Sequence, residues 1–131
     1  MTMETKSEEI KHCKPGTFVL IDDEPCIVTS LSVSKPGKHG EAKARIEAVG
    51  IFDNVKRSLV KPGDYRIQVP IIDKRIAQVL VISGDYAQVM DSESYETFEA
   101  KIPEELKDKI TEGREVLVWR WGKKALIKAL R

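Results

Sequence analysis

Lys-Pro-Gly occurs three times in this chain, at Lys14, Lys35 and Lys61. Proline sets the φ that starts a turn, and glycine accepts the positive φ that finishes one. The spacings are unequal, so the three marks are punctuation and not a structural repeat. Between them lie short apolar runs that alternate with polar residues, the pattern of half-buried strands. Thr17 to Ile21 is one such run, followed by the acidic turn Asp22-Asp23-Glu24. Cys26 to Val33 is another, with Ile27, Thr29, Leu31 and Val33 on one face and Val28, Ser30 and Ser32 on the other. Further on, Ala44, Ile46 and Ala48 share a face, and Lys43, Arg45 and Glu47 share the opposite one. Two more runs flank Lys61-Pro62-Gly63. About five short strands within the first half fit a small, strongly bent barrel. Residues 1 to 11 are polar and are expected to be loose.

Pro70 interrupts a sheet pattern and marks a joint, giving expected domains 1–71 and 72–131. The second half continues in strands. "RIAQVLVI" and "YAQVMD" flank a tight turn at Ser83-Gly84-Asp85, and "SYETFEAKI" supplies a third strand. Pro103 to Ile110 has proline at its start, acids in its first turn and lysines in its last, and is expected to be a helix. "REVLVWRW" and "KALIKAL" then pair around Gly122. Three strands, a short helix and two strands is the order of an OB-fold. The expected fold class is all-β: an N-terminal SH3-like small barrel, then a C-terminal OB-fold barrel with one short helix.

Charge and composition exclude several functions. The formal net charge is +1, so no broad basic face is available for duplex nucleic acid. Positive charge is local: Lys35, Lys38, Lys43 and Arg45 stand against the single acid Glu41. No apolar run reaches the length of a membrane span, and the polar, acid-bearing start does not resemble a secretory signal. The chain is therefore expected in the cytoplasm, away from membranes. Cys13, Cys26, His12 and His39 form no ligand-spaced motif, so no metal site is expected and both thiols read as small buried residues.

No catalytic residue is expected either. His39 sits between glycines on a turn, where water is not excluded. Gly37-Lys38 is followed by His39 and a strand, where a phosphate loop would need Ser or Thr and a helix. An alternative of another class is a stand-alone single-stranded RNA-binding OB-fold protein. Trp119 and Trp121 fall on one face of a strand with Leu117, and Arg120 falls opposite. Such rings serve either as a stacking platform or as core and rim packing. Acids and bases are equal in number from Ile72 onward, which weakens the idea of a basic groove.

The stretch Ser34 to Lys43, "SKPGKHGEAK", remains unabsorbed. It joins two alternating runs and therefore forms the tip of a hairpin. Its glycines give Lys38 an uncrowded backbone and add nothing to a core. This stretch resembles the signature of the translation initiation factor 5A family, which has Ser-Lys-Thr/Pro-Gly-Lys-His-Gly followed by Ala-Lys. Ser34, Lys35, Pro36, Gly37, Lys38, His39, Gly40, Ala42 and Lys43 carry the match. The upstream "KPGTFVLIDDEPCIV" and the domain order are similar too. Pro36 and Glu41 look like archaeal members.

The resemblance implies that Lys38 is the lysine converted to deoxyhypusine or hypusine. Deoxyhypusine synthase transfers an aminobutyl group from spermidine onto that amine, using NAD, so the factor is a substrate and needs no cofactor of its own. The modification loop would comprise Lys35, Pro36, Gly37, His39 and Gly40 around Lys38. The modified factor would bind the ribosome near the exit site and extend the lengthened side chain towards peptidyl-tRNA. It would thereby assist peptide-bond formation on stalled sequences such as proline runs, and termination. Lys35, Lys43 and Arg45 are candidate phosphate contacts, joined by Trp119, Arg120 and Trp121 in the second half. A monomer is expected.

Overall fold

The computed structural model describes residues 3–34 and 42–131, in two compact units, Met3–Ile71 and Ile72–Arg131. Among the described residues, regular structure is β-strand apart from two 3-10 turns.

The first unit contains β1 (Thr5–Glu9), β2 (Phe18–Ile21), β3 (Glu24–Val33), β4 (Lys43–Gly50), β5 (Lys56–Pro62) and β6 (Arg66–Pro70). Strands β2 to β5 form an antiparallel sheet in chain order, and β1 pairs antiparallel with β6. β6 also lies against β2, so the β1–β6 ribbon packs beside the curled four-stranded sheet to complete the SH3-like unit. Val19, Cys26, Val28 and Ile46 fill its centre. The β2–β3 turn places Asp22 and Asp23 at φ 53° and 63°. Two successive positive φ values match the right-handed twist of a two-residue hairpin, and aspartate tolerates them better than most residues. At the far end of β4, the Asp53 carboxylate lies where a side chain on Gly50 would begin, and Arg57 pairs with it at 2.8 Å.

Two expectations for this unit are corrected. Residues 5–10 are not loose. Thr5–Glu9 runs opposite Pro70 to Arg66, held by backbone bonds while its side chains stay largely exposed. Arg66 adds a bond from Nε to Ser7 Oγ at 3.0 Å, and Ile10 plugs the core with no exposed surface. A strand with solvated side chains looks like a tail in sequence. The alternation of Cys26 to Val33 also breaks. Val28 faces Ala48 and Ser30 faces Glu47, which makes Thr29 an extra residue. A bulge reverses the phase: Cys26 and Val28 are buried ahead of it, and Leu31 packs on the core beyond it.

The second unit contains β7 (Asp73–Ser83), β8 (Tyr86–Asp91), β9 (Thr97–Lys101), β10 (Glu115–Trp121) and β11 (Lys124–Leu130). They close a barrel in the order β10-β11-β9-β8-β7. β10 pairs antiparallel with β7, and β11 meets β9 in parallel at Leu126 and Lys101, the closure of an OB-fold. Val79, Val89, Val116, Val118 and Ile127 fill the interior. The expected helix over Pro103–Ile110 is corrected to a single 3-10 turn, Glu104–Leu106, followed by further turns. Eight residues are too few to repay helix nucleation unaided. Here the packing demand is met by two anchors, Ile102 and Ile110, both buried. Lys107 pairs with Asp85 across this end of the barrel.

Two buried polar side chains close the other end. Asp91, 1% exposed, accepts two bonds from Arg75, at 2.6 and 3.0 Å. Its Oδ1 also accepts the backbone N–H groups of Glu93 and Ser94. Arg120, 3% exposed, lies 3.7 Å from the centre of the Phe98 ring and 3.4 Å from Glu96. Arg75, chiefly, and then the two backbone N–H groups hold the Asp91 carboxyl well below the usual carboxylate range. A depressed folded-state value contributes stability above the unfolded value, about 3.9, and that contribution is lost as pH falls below it towards the folded value. Asp91→Asn removes the buried anion of Arg75, leaving it only the exposed Glu93 carboxylate at 3.5 Å, and is expected to destabilise the second unit by about 3 kcal/mol at neutral pH. Denaturant unfolding across pH 2 to 7 checks this, since the variant's loss of stability below about pH 4 should be shallower. Arg120→Ala is expected to cost about 2 kcal/mol, from lost ring contact and packing, in the same unfolding assay.

Candidate functional site

Lys35, Pro36, Gly37, Lys38, His39 and Gly40 lie outside the described residues. The platform that carries them is described in detail. The Ser34 N–H donates to the Lys43 carbonyl at 2.9 Å, and the Lys43 N–H donates to Ser34 Oγ at 3.2 Å. From the other side, the Gly63 N–H donates to the Ala42 carbonyl at 2.8 Å, and Lys43 lies opposite Pro62. The chain then turns back through a bond from the Tyr65 N–H to the Pro62 carbonyl, 2.9 Å, with Lys61 Nζ 5.1 Å from the Tyr65 ring centre. The third Lys-Pro-Gly is thus a buttress for the hairpin that carries the second. The sequence pattern marks it as a turn and does not show that Ser34, Gly63 and Tyr65 make the bonds of this base. The recurrence of the tripeptide was the available signal.

β4 couples the platform to the core. Ala44 and Ile46 have no exposed surface and Ala48 only 2%, so Lys43, Arg45 and Glu47 must point outward. This part of the alternation agrees with the sequence pattern. Arg45 pairs with Glu47 at 3.5 Å, with both side chains more than half exposed. Such a pair is worth at most about 1 kcal/mol and leaves the guanidinium available to an incoming phosphate. Lys43 is exposed at the hairpin base.

The remaining candidate chemistry is quiet. Among the described residues, no group of three His, Cys, Asp or Glu side chains is arranged to hold a metal. Cys13 and Cys26 are buried and free, and burial pushes both thiols up from their ordinary value. A protonated thiol is a poor nucleophile.

In the second unit, the structure separates the three RNA-binding candidates. Arg120 points into the barrel mouth, onto Phe98 and Glu96, and does not present its charge to a ligand. Trp121 is 7% exposed and offers no stacking face. Both are packed within the second unit, with almost no exposed surface. Trp119 is half-buried, with Lys74 Nζ 5.0 Å and Lys128 Nζ 4.7 Å from its ring centre. Neither lysine was a sequence candidate. Strand alternation reports sidedness along β10, but Lys74 reaches the indole through pairing with a distant strand, and Lys128 through a register shift in the β10–β11 hairpin.

Comparison with known proteins agrees with this arrangement in both units. Residues 3–65 match the family described as "Translation initiation factor 5A-like, N-terminal". Residues 71–129 match "Eukaryotic elongation factor 5A hypusine, DNA-binding OB fold". The translation initiation factor 5A of Archaeoglobus fulgidus is 57% identical over 109 residues, covering 83% of this chain and 85% of that protein. That of Methanobrevibacter smithii is 58% identical over 114 residues, covering 87% and 88%. A solved structure described as eukaryotic translation initiation factor 5A from Methanococcus jannaschii superposes with a TM-score of 0.89 at 42% identity, over 100% of this chain and 98% of that one. With both units matched and the hairpin signature intact, the chain belongs to the translation initiation factor 5A family.

Proposed function

We propose that this chain is a ribosome-bound translation factor whose working group is Lys38 after aminobutyl transfer from spermidine. The observation that carries the reading is the buttressed hairpin base: Ser34, Ala42, Lys43 and Gly63 fix the two ends of a segment whose sequence centres on Lys38. A loop on a rigid base can deliver a side chain into a narrow space at little entropic cost. Deoxyhypusine synthase is the first partner, with Lys38 as the acceptor amine. The lengthened side chain carries two amines that can contact the tRNA backbone and help hold the acceptor end for reaction.

In this reading the factor binds near the ribosomal exit site and reaches peptidyl-tRNA, promoting peptide-bond formation on stalled proline runs and assisting termination. Lys35, Lys43 and Arg45 contact phosphates around the loop, and Gly37, His39 and Gly40 line the segment that enters the enzyme and then the ribosome. The chain itself performs no catalysis. Its work depends on a modification made by another enzyme.

Lys38→Arg keeps the charge and removes the acceptor amine. Peptide mass spectrometry on protein from the native host should find the aminobutyl group on Lys38, and the same peptide of the Lys38→Arg variant should carry none. Synthesis of a proline-run reporter with the variant should fall to the level seen without the factor. Full reporter synthesis by the variant, or an unmodified Lys38 in native protein, would overturn the reading.

A further inference from the structure

We infer that the outer face where β7, β10 and β11 meet is a contact site for single-stranded RNA, built from Trp119, Lys74 and Lys128. It does not depend on the modification of Lys38, so the two readings fail separately. Trp119 sits on the middle strand of the three. Its register partner on β7 is Lys74, and its partner on β11 is Leu126. The β10–β11 ladder shifts register at Leu117/Val118: Leu117 faces Ala129 and Val118 faces Ile127. Lys128 is therefore the extra residue of a bulge, a device that re-aims a side chain, and its ammonium lies 4.7 Å from the indole centre. The Lys74 ammonium lies 5.0 Å from the same centre. One aromatic ring thus has a cation supplied from the strand on each side.

That composition matches one ligand class. In a single nucleic-acid strand each base hangs between two phosphates. Proteins that bind such strands pair an aromatic platform for the base with cations for the backbone. Two ammoniums, 5.0 and 4.7 Å from one ring centre, make that patch locally positive, and a phosphate arriving beside them is attracted. Lysine has a long flexible stem and rotatable donors, so each ammonium can leave the ring for a phosphate as a base takes its place. The packing alternative is that the lysine stems only shield the indole from water. The two readings differ in their response to RNA and to salt.

The test is a fluorescence titration of the full chain with a ten-nucleotide oligouridylate, in 50 and 200 mM salt. The site predicts quenching of tryptophan emission and affinity that falls as salt rises. Lys74→Gln with Lys128→Gln should weaken binding about tenfold in low salt. It should also reduce the slope of log affinity against log salt by about 1.4, the share of two single-strand phosphate contacts. Both positions are at the surface, so the double variant should unfold at the wild-type temperature. Trp119→Phe, which keeps an aromatic face, should retain most of the affinity. No binding in 50 mM salt, equal affinity and slope in the double variant, or equal binding of polyglutamate would each overturn the inference.

Discussion

The functional half of this molecule depends on the register of β4. Its inward side chains are small or branched, with Ala44, Ile46 and Ala48 wholly or almost wholly buried. It is paired along its length with β3 on one side and β5 on the other. A slip of one residue would turn Lys43, Arg45 and Glu47 into the core. The burial of three uncharged residues therefore positions the charged ones, and the same pairing brings Ser34 and Gly63 against the hairpin base. The platform is firm because the Ser34–Lys43 and Gly63–Ala42 backbone bonds continue the ladders of β4 with β3 and β5.

The second unit solves a different problem. A closed barrel must seal its ends, and here one end is sealed by charged groups. Asp91 and Glu96 bracket residues 92–95, and each is gripped by an arginine. Between them Tyr95 is 71% exposed at φ 61°, a conformation that costs a bulky residue of order 1 kcal/mol. The backbone bonds from Asp91 to Glu96 and from Tyr95 to Asp91, both 2.8 to 2.9 Å, hold it there. Strain of this kind persists only where the surroundings over-determine it, and two arginine clamps supply that excess. Arg120 thus does its work inside, although sequence alone shows a cation beside two tryptophans.

What sequence could show followed from periodicity. Turn residues and period-two alternation identify β4, the β7–β8 hairpin and the strand order of the second barrel, because those features repeat within a few residues. What it could not show depends on partners far along the chain. β1 exists because β6 offers it an unpaired edge, and its own residues carry no apolar stripe. Thr29 becomes a bulge through its pairing with β4. Pro103–Ile110 has the right charges for a helix, yet its two isoleucine anchors need only a turn. Arg120 and Trp119 are neighbours with opposite fates because Phe98 and Glu96 stand inside the barrel, and Lys74 and Lys128 outside it. The role proposed for Lys38, by contrast, rests on its sequence neighbours alone, since the family signature around it is contiguous.

A net charge near zero shapes how such a protein can meet RNA. Charges beyond about 8 to 10 Å are screened at physiological salt, so a neutral body neither attracts nor orients a polyanion from a distance. Selectivity must then come from where a few cations are held. In the readings proposed above those cations are Arg45, held by the register of β4, Lys128, held by a bulge, and Lys74, held by the pairing of β7 with β10. Each is placed by backbone pairing and not by a run of like charge. Exposed contacts of this kind would add little affinity individually. For a factor that must act at one place among abundant RNA, weak general attraction with localised contacts is the arrangement that avoids capture elsewhere.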